Sequence, residues 1–344
     1  MRRAGGALGQ NREVDTQAQD WITYRRAPQS SIEVMRAHFV THRYHRHSHE
    51  TYSFGVTESG AQTFTCRGAR RTSTTGMVMA FNPDDPHDGH ATNSLGFTYS
   101  IVYIPEAAVT DVLGDRLGRR AGAPLFAEPV LHDRAAADAL RRLSAAMIGG
   151  QRLAVDELRD AAIRALVRCT PLRTGTDVDS ADTVATGLGT GRLPEPARRD
   201  AGVLRVRDLL REEYAREIGA DELAAVAGCS RFALYRAFVT GYGMSPGDYQ
   251  RQLRLRAART LLARGLSPAQ AAAETGFADQ AHLTRWFGRC YGITPARYRA
   301  AVLREAPLAN MVAATHSPPA PHSQRVTGVS QVQELSMPPH ALPA

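Results

Sequence analysis

The chain contains no lysine: all 42 of its basic residues are arginine. Codon usage in a GC-rich genome accounts for that, so the absence alone excludes no function. Cysteine is scarce too. Cys66, Cys169, Cys229 and Cys290 are scattered with no CxxC pair, which excludes a disulfide framework or a cysteine zinc site and fits a reducing compartment. No apolar run approaches the length of a membrane span. The opening MRRAGGALGQNREVD is basic but has no apolar core, so no secretory signal is expected. A soluble, cytoplasmic protein with no membrane partner is the expectation.

What remains is 344 residues, enough for two domains with tails, and a net charge of +8 that suits a polyanionic partner once the charge is located. Residues 1–20 read as a flexible arm. From 21 the chain turns strand-like, in four short β-branched and aromatic runs: SIEVMRAHFV, TYSFGVTESGAQTFTC, MVMAFNP and FTYSIVYIP. Glu58-Ser59-Gly60 reads as a hairpin turn and Asn82 to Pro86 as a proline-fixed loop. The period then lengthens. Leu140, Leu143 and Met147, then Leu158, Ala162, Leu166 and Cys169, form stripes of two amphipathic helices that need a partner surface, the barrel or a second subunit.

Residues 171–200 are rich in Gly, Thr, Asp and Pro and read as a linker, and 303–344 as a disordered tail. Residues 201–302 read as helical throughout. Fifteen arginines face nine acidic residues there, so most of the net charge lies in under a third of the length.

That helical segment repeats itself at a spacing of 49 residues. Ala224 meets Ala273, Leu234 meets Leu283, Arg236 meets Arg285 and Phe238 meets Phe287. Tyr242, Gly243, Pro246 and Tyr249 meet Tyr291, Gly292, Pro295 and Tyr298. Each unit reads as helix, tight turn, helix. Gly228 and Gly276 supply the turns, and Ser230 and Asp279 cap the second helices. A helix-turn-helix has this layout, and its second helix enters a DNA major groove.

On those second helices the Leu/Phe pairs point inward. The opposite face carries Arg231, Phe232, Tyr235 and Arg236 in the first unit. In the second, GFADQAHLTRWF (residues 276–287), it carries Gln280, Ala281, Thr284 and Arg285, with His282 at the margin. Arginine can read guanine bidentately, glutamine can read adenine, and aromatic or methyl groups touch the thymine methyl. The stretch from Pro246 to Gly265 reads as one helix of about 28 Å, near the ~34 Å between successive major grooves. Some of its Arg251, Arg254, Arg256 and Arg259 are expected to meet phosphate.

The segment GFADQAHLTRWFGRCYGITPARYR resembles the signature of the AraC/XylS family of bacterial transcription regulators, over about 100 residues. The resemblance implies a double helix-turn-helix with the residues named above as base-reading candidates. Family members often carry a longer polar residue at the position of Ala281, so the operator is expected to differ at that base pair. HRHSHETYSFGVTESG and GMVMAFNPDDPHDGH resemble, more loosely, the two motifs of the family's cupin-like ligand-binding domain. The implied fold is multidomain α+β: a cupin-like β-barrel with following helices over 21–170, then an all-α domain with two helix-turn-helix units over 201–302. The implied partners are double-stranded promoter or operator DNA, a small-molecule effector, a second copy in a homodimer and, for an activator, RNA polymerase.

Within the cupin-like segment, His47, His49 and His87 invite a metal reading. The carboxylate that completes such sets in enzymes is missing, because Glu50 follows His49 directly and points to the other face. The histidines are therefore taken as lining a ligand pocket together with Tyr52, with no metal and no cofactor. Phe54, Phe97 and Tyr99 are further candidates for its aromatic walls. The expectation is a regulator and not an enzyme. The alternative is a metal-dependent cupin enzyme carrying an accessory DNA-binding domain.

Overall fold

The computed structural model describes residues 19–27, 31–118, 122–169 and 201–303. The expected arm, linker and tail lie, apart from edge residues, outside the described residues.

The first half is β-rich. Its strands are β1 Trp21–Ala27, β2 Ile32–Phe39, β3 Arg43–His47, β4 Tyr52–Cys66, β5 Ala69–Thr74, β6 Val78–Phe81, β7 His87–Ala91, β8 Phe97–Ile104 and the short β9 Val130–Leu131. Hydrogen bonding runs in the order β1-β2-β8-β4-β6-β9, all antiparallel, while β5 and β7 pair with β4, and β3 with β7. The sheet folds over on itself without closing as a barrel.

The long β4 belongs to both layers. Its first half pairs with β6 and β8, and its second half with β5 and β7. The expected hairpin turn at Glu58-Ser59-Gly60 is instead a bulge inside β4, where the register with β8 shifts between Thr57 and Ser59. Gly60 takes φ +72°, and a Cβ there would stand 2.2 Å from the Gly96 carbonyl. The glycine bends the strand without reversing it, because pairing to β8 continues on both sides. The reversal comes eight residues later, at Arg67-Gly68, where both residues have positive φ.

Helices α1 Glu106–Leu117, α2 Arg134–Ile148 and α3 Val155–Val167 cover one face of the sheet. Leu140, Leu143, Met147, Ala162 and Leu166 are buried with Val34, Tyr52, Phe54, Val102 and Ile104. The helical stripes thus find their partner in the chain's own sheet. Strand alternation sends Met35, Phe39, Tyr99, Ile101 and Tyr103 to the opposite face.

The second half contains α4 Ala201–Glu212, α5 Ala220–Ala227, α6 Arg231–Tyr242, α7 Pro246–Ala263, α8 Pro268–Glu274, α9 Gln280–Tyr291 and α10 Pro295–Leu303. The 49-residue repeat maps α5-α6-α7 onto α8-α9-α10. Its aromatic trio recurs too: Phe238, Tyr242 and Tyr249 cluster in the first unit, and Phe287, Tyr291 and Tyr298 in the second.

The two units differ in what they pack against. The first, with α4, has a core of its own around Val206, Leu210, Leu234 and Phe238. The second shares its core with the β-rich half, where Leu283, Phe287, Ile293 and Tyr298 join Tyr24, Phe39, Phe97 and Tyr99.

Candidate functional site

Each helix-turn-helix is punctuated as its sequence demands. Gly228 ends α5 in the left-handed conformation, and Ser230 caps α6 by accepting from the Ala233 amide at 3.3 Å. In the second unit Ser267 and Gln270 form a reciprocal capping box at the start of α8. Asp279 caps α9 by accepting from the His282 amide at 2.6 Å. These caps fix the entry angle of both second helices.

Behind each exposed face, Leu234 and Phe238, or Leu283 and Phe287, are buried. On α6, Phe232 and Tyr235 stand 68% and 52% exposed, unusual for rings that have no surface to cover. The Arg236 guanidinium lies over the Phe232 ring at 4.7 Å. Arg231 is not free, since it pairs with Asp221 on α5. On α9, Gln280, Ala281 and Arg285 are exposed, while Thr284 and His282 are half-buried. His282 is drawn inward against Phe277, with ring centroids 5.4 Å apart. Burial, then the Arg285 charge, hold its pKa below the usual imidazole range. Arg236 and Arg285 have no hydrogen-bond or carboxylate partner among the described residues.

The arginines of α7 depart from expectation. Arg251 pairs with Asp248 and lies over the Trp286 ring at 3.8 Å. Arg254 donates to the carbonyls of Tyr214 (2.7 Å) and Arg216 (3.0 Å). Arg256 reaches into the β-rich half, to Ser48 Oγ at 2.9 Å and Asp84 at 2.7 Å. Arg259 is buried and pairs with Glu33 of β2, which also accepts from the Tyr298 hydroxyl at 2.9 Å. In this structure each of the four already has a partner: Arg254, Arg256 and Arg259 reach other parts of the chain, and Arg251 pairs within α7.

Between the two sheet layers lies a cavity of about 30 Å3, lined by Tyr44, His47, Gln62, Phe81, His87 and Tyr103 among others. That is room for about two water molecules. His47, His49 and His87 come together here, all buried, with one nitrogen of each within 4.8 Å of the others. Burial pushes the His87 ring down to about 4, against the pull of its bond to the Asp85 carbonyl. Burial first, then charge on the neighbouring rings, holds His47 and His49 well below the usual imidazole range. All three rings are neutral near pH 7.

Tyr52 does not join them. It is buried on the opposite face of the sheet, stacked on Phe54, with its hydroxyl donating to the Pro124 carbonyl at 2.6 Å. The register explains this: Tyr52 and Phe54 share the face that α2 and α3 cover. Tyr99 does line the cavity, and Tyr103, four residues on along β8, faces the same way. Sequence reasoning had the signal for Tyr103 in that spacing and missed it. It had no signal for Gln62 or Phe81.

Residues 29–167 match the family description of an AraC-like ligand-binding domain, and residues 223–301 that of a helix-turn-helix domain. The probable transcription factor PqrA of Proteus vulgaris is 36% identical over 83 residues, which span 24% of this chain and 68% of that protein. The chain belongs to the AraC/XylS family of transcription regulators. Like other regulators of this family it joins a ligand-binding domain to a helix-turn-helix domain, and double-stranded DNA and a small-molecule effector are its partners. A second relative, the HTH-type transcriptional regulator YbfI of Bacillus subtilis, is 28% identical over 262 residues, covering 74% of this AraC-type chain and 87% of its own. The crystal structure of ToxT from Vibrio cholerae aligns with 83% of the chain and 98% of its own at 10% identity and a TM-score of 0.45. No helix among the described residues is long and apolar enough to cross a membrane.

Proposed function

We propose that this regulator reads promoter or operator DNA with the outer faces of α6 and α9. The reading residues are Arg231, Phe232, Tyr235 and Arg236 on the first helix, and Gln280, Ala281, His282, Thr284 and Arg285 on the second. One observation supports this above the others. The repeat-related Arg236 and Arg285 are both exposed and unpaired among the described residues, each opposite a buried Leu/Phe pair. Arg231 joins them after releasing Asp221, an exposed pair whose loss costs at most about 1 kcal/mol. Binding to DNA from upstream of its own gene or a neighbouring one, followed by fluorescence anisotropy, tests the assignment. Arg236→Ala and Arg285→Ala should each weaken specific binding by about 1–3 kcal/mol if the arginine reads guanine. Unchanged specific binding in both would show that the faces are wrongly assigned.

The effector acts in the cavity between the layers, with His47, His49 and His87 in its wall. Strand β3 carries the response. Its His47 lines the cavity, while its Arg46 Nε donates to the Gly243 carbonyl at the end of α6 at 2.7 Å. His45 meets Trp286 of α9 edge-on at 5.0 Å, and Tyr44 lies so close to Gly292 that a Cβ there would stand 2.8 Å from its hydroxyl. One strand thus touches the cavity and the ends of both reading helices, so parting the layers shifts both helices together. The regulator works in the bacterial cytoplasm, as a homodimer on paired half-sites, and recruits RNA polymerase where it activates. The chain is assigned no catalytic role, because the relatives matching each half are regulators.

A further inference from the structure

We propose that His47, His49 and His87 form a binding site for a divalent first-row transition-metal ion, held by three imidazole nitrogens with at least one coordination position left open.

The geometry carries it. His47 Nδ1 lies 2.8 Å from the His45 carbonyl, and His87 Nδ1 lies 2.9 Å from the Asp85 carbonyl. A carbonyl oxygen only accepts, so each Nδ1 bears the proton and each Nε2 presents a bare lone pair. Metal-ligating histidines are oriented by this same bond. The His87 ring is further fixed by stacking on Phe81, with centroids 3.9 Å apart and planes 1° from parallel. His49 is 4% exposed, and its Nδ1 has no partner among the described residues. A buried ring nitrogen without a partner is destabilising unless something fills the place.

One ring nitrogen of each histidine lies within 4.8 Å of the others. Around one ion at about 2.1 Å ring nitrogens stand roughly 3.4 Å apart, so the rings close by up to about 1.4 Å through side-chain rotations. The cavity of about 30 Å3 beside them holds the ion with a water or an oxygen donor on the open position.

The donor set also narrows the ion. Asp88 lines the cavity, but its carboxylate accepts from the Thr65 amide at 2.6 Å, and Asp85 is held by Arg67. Glu50 faces Arg256 at 3.4 Å. Among the described residues no carboxylate joins the set, and three neutral imidazoles favour zinc, iron, nickel or copper over magnesium or calcium. The sequence argued against a metal because a carboxylate was missing. The structure shows a three-nitrogen set that needs none.

The consequence for DNA rests on the sensor reading above: an ion drawing His47 toward His87 pulls on β3. The test keeps the two apart. The full-length chain, without a polyhistidine tag and stripped with a chelator, is titrated with Co2+ and with Zn2+. Equilibrium dialysis gives the stoichiometry, the visible bands of bound cobalt give the geometry, and X-ray absorption counts the imidazole ligands. One ion per chain on three imidazoles is expected. His47→Gln and His87→Gln should each weaken binding at least about 100-fold, while His90→Gln, on the same strand as His87 but outside the cluster, should leave it unchanged. Folding of each variant is checked by circular dichroism, and the wild-type ligand count stands whatever the variants do. No stoichiometric ion, or an ion that His87→Gln retains undiminished in a folded chain, overturns the proposal. Anisotropy on the same samples separates the readings. A bound ion without effect on DNA affinity keeps the site and removes the β3 coupling. Effector-dependent DNA binding in a chain that takes up no ion keeps the sensor and removes the site.

Discussion

Glu33 is one carboxylate in a strand, yet it holds two halves of the molecule together. It accepts from Arg259 and the Tyr298 hydroxyl of the helical half and from the Tyr24 hydroxyl of its own sheet, with all four side chains buried. Removing one member of a buried ion pair leaves the other charge unpaired, which costs about 3–5 kcal/mol, whereas replacing both by apolar groups is often neutral. Glu33→Gln is therefore expected to lower the melting temperature and to split calorimetric unfolding into two steps as the helical half comes away. Combining it with Arg259→Met should recover at least half of the loss. Additive losses in the double variant would show that the two side chains are not coupled. This contact was only half legible in the sequence. The sequence showed Arg259 as one of four arginines on a long helix, some of them expected to meet phosphate, because a helix pattern does not say which face a distant strand covers. Tyr52 was misplaced for a related reason: the face of a strand is legible, but which face holds the pocket is not.

Secondary structure was legible where its cause is local. The caps at Ser230 and Asp279 and the turns at Gly228 and Gly276 follow from short-range hydrogen bonding and positive φ, and the structure has each of them. Strands β3 (RYHRH), β5 (ARRTST) and β7 (HDGHA) carry few apolar residues and become strands only by pairing with β4 or with each other. Strand formation of that kind depends on distant partners. The local causes give a graded prediction. Asp279→Ala removes one cap and should cost about 1 kcal/mol of stability. Gly276 at φ +75° is different, since an added Cβ would lie 2.0 Å from the Ala215 carbonyl oxygen. The left-handed conformation alone costs a residue with a Cβ roughly 1–2 kcal/mol, and the backbone collision adds to it. Gly276→Ala should therefore lower the melting temperature well beyond Asp279→Ala and weaken DNA binding with it. Equal shifts in a paired thermal melt would mean that the turn is looser than its geometry indicates.

Across the whole molecule, charge overstates the grip on DNA. Fifteen arginines lie between 201 and 300, but Arg207, Arg216, Arg231, Arg251, Arg256 and Arg259 face carboxylates. Arg205, Arg254 and Arg299 are turned to backbone carbonyls, and Arg211 to the Tyr249 hydroxyl. Arg297 also leans toward a carbonyl, that of Ile22 at 3.5 Å. Arg236, Arg264, Arg285 and Arg289 are the exposed arginines of this half with neither kind of partner among the described residues. Each phosphate neutralised by a cation releases about 0.9 of a counterion from duplex DNA, which sets the slope of log affinity against log salt. Those four and Arg231, once it leaves Asp221, set an upper bound of about −4.5 on the slope per chain, shallower by about 0.9 for each arginine that reads a base instead of phosphate, where all fifteen would give about −13. Anisotropy titrations of the full-length chain on duplex DNA over a range of salt concentrations measure that slope. A value no steeper than about −4.5 follows if the arginines of α7 stay with Glu33, Asp84 and the carbonyls while DNA is bound. A much steeper slope would mean that α7 lets go of the β-rich half on the operator, because Arg256 and Arg259 add to the count only by abandoning Asp84 and Glu33. The same titration in the Glu33→Gln chain decides between the two, since releasing Arg259 by mutation should steepen the slope only if the native contact survives DNA binding.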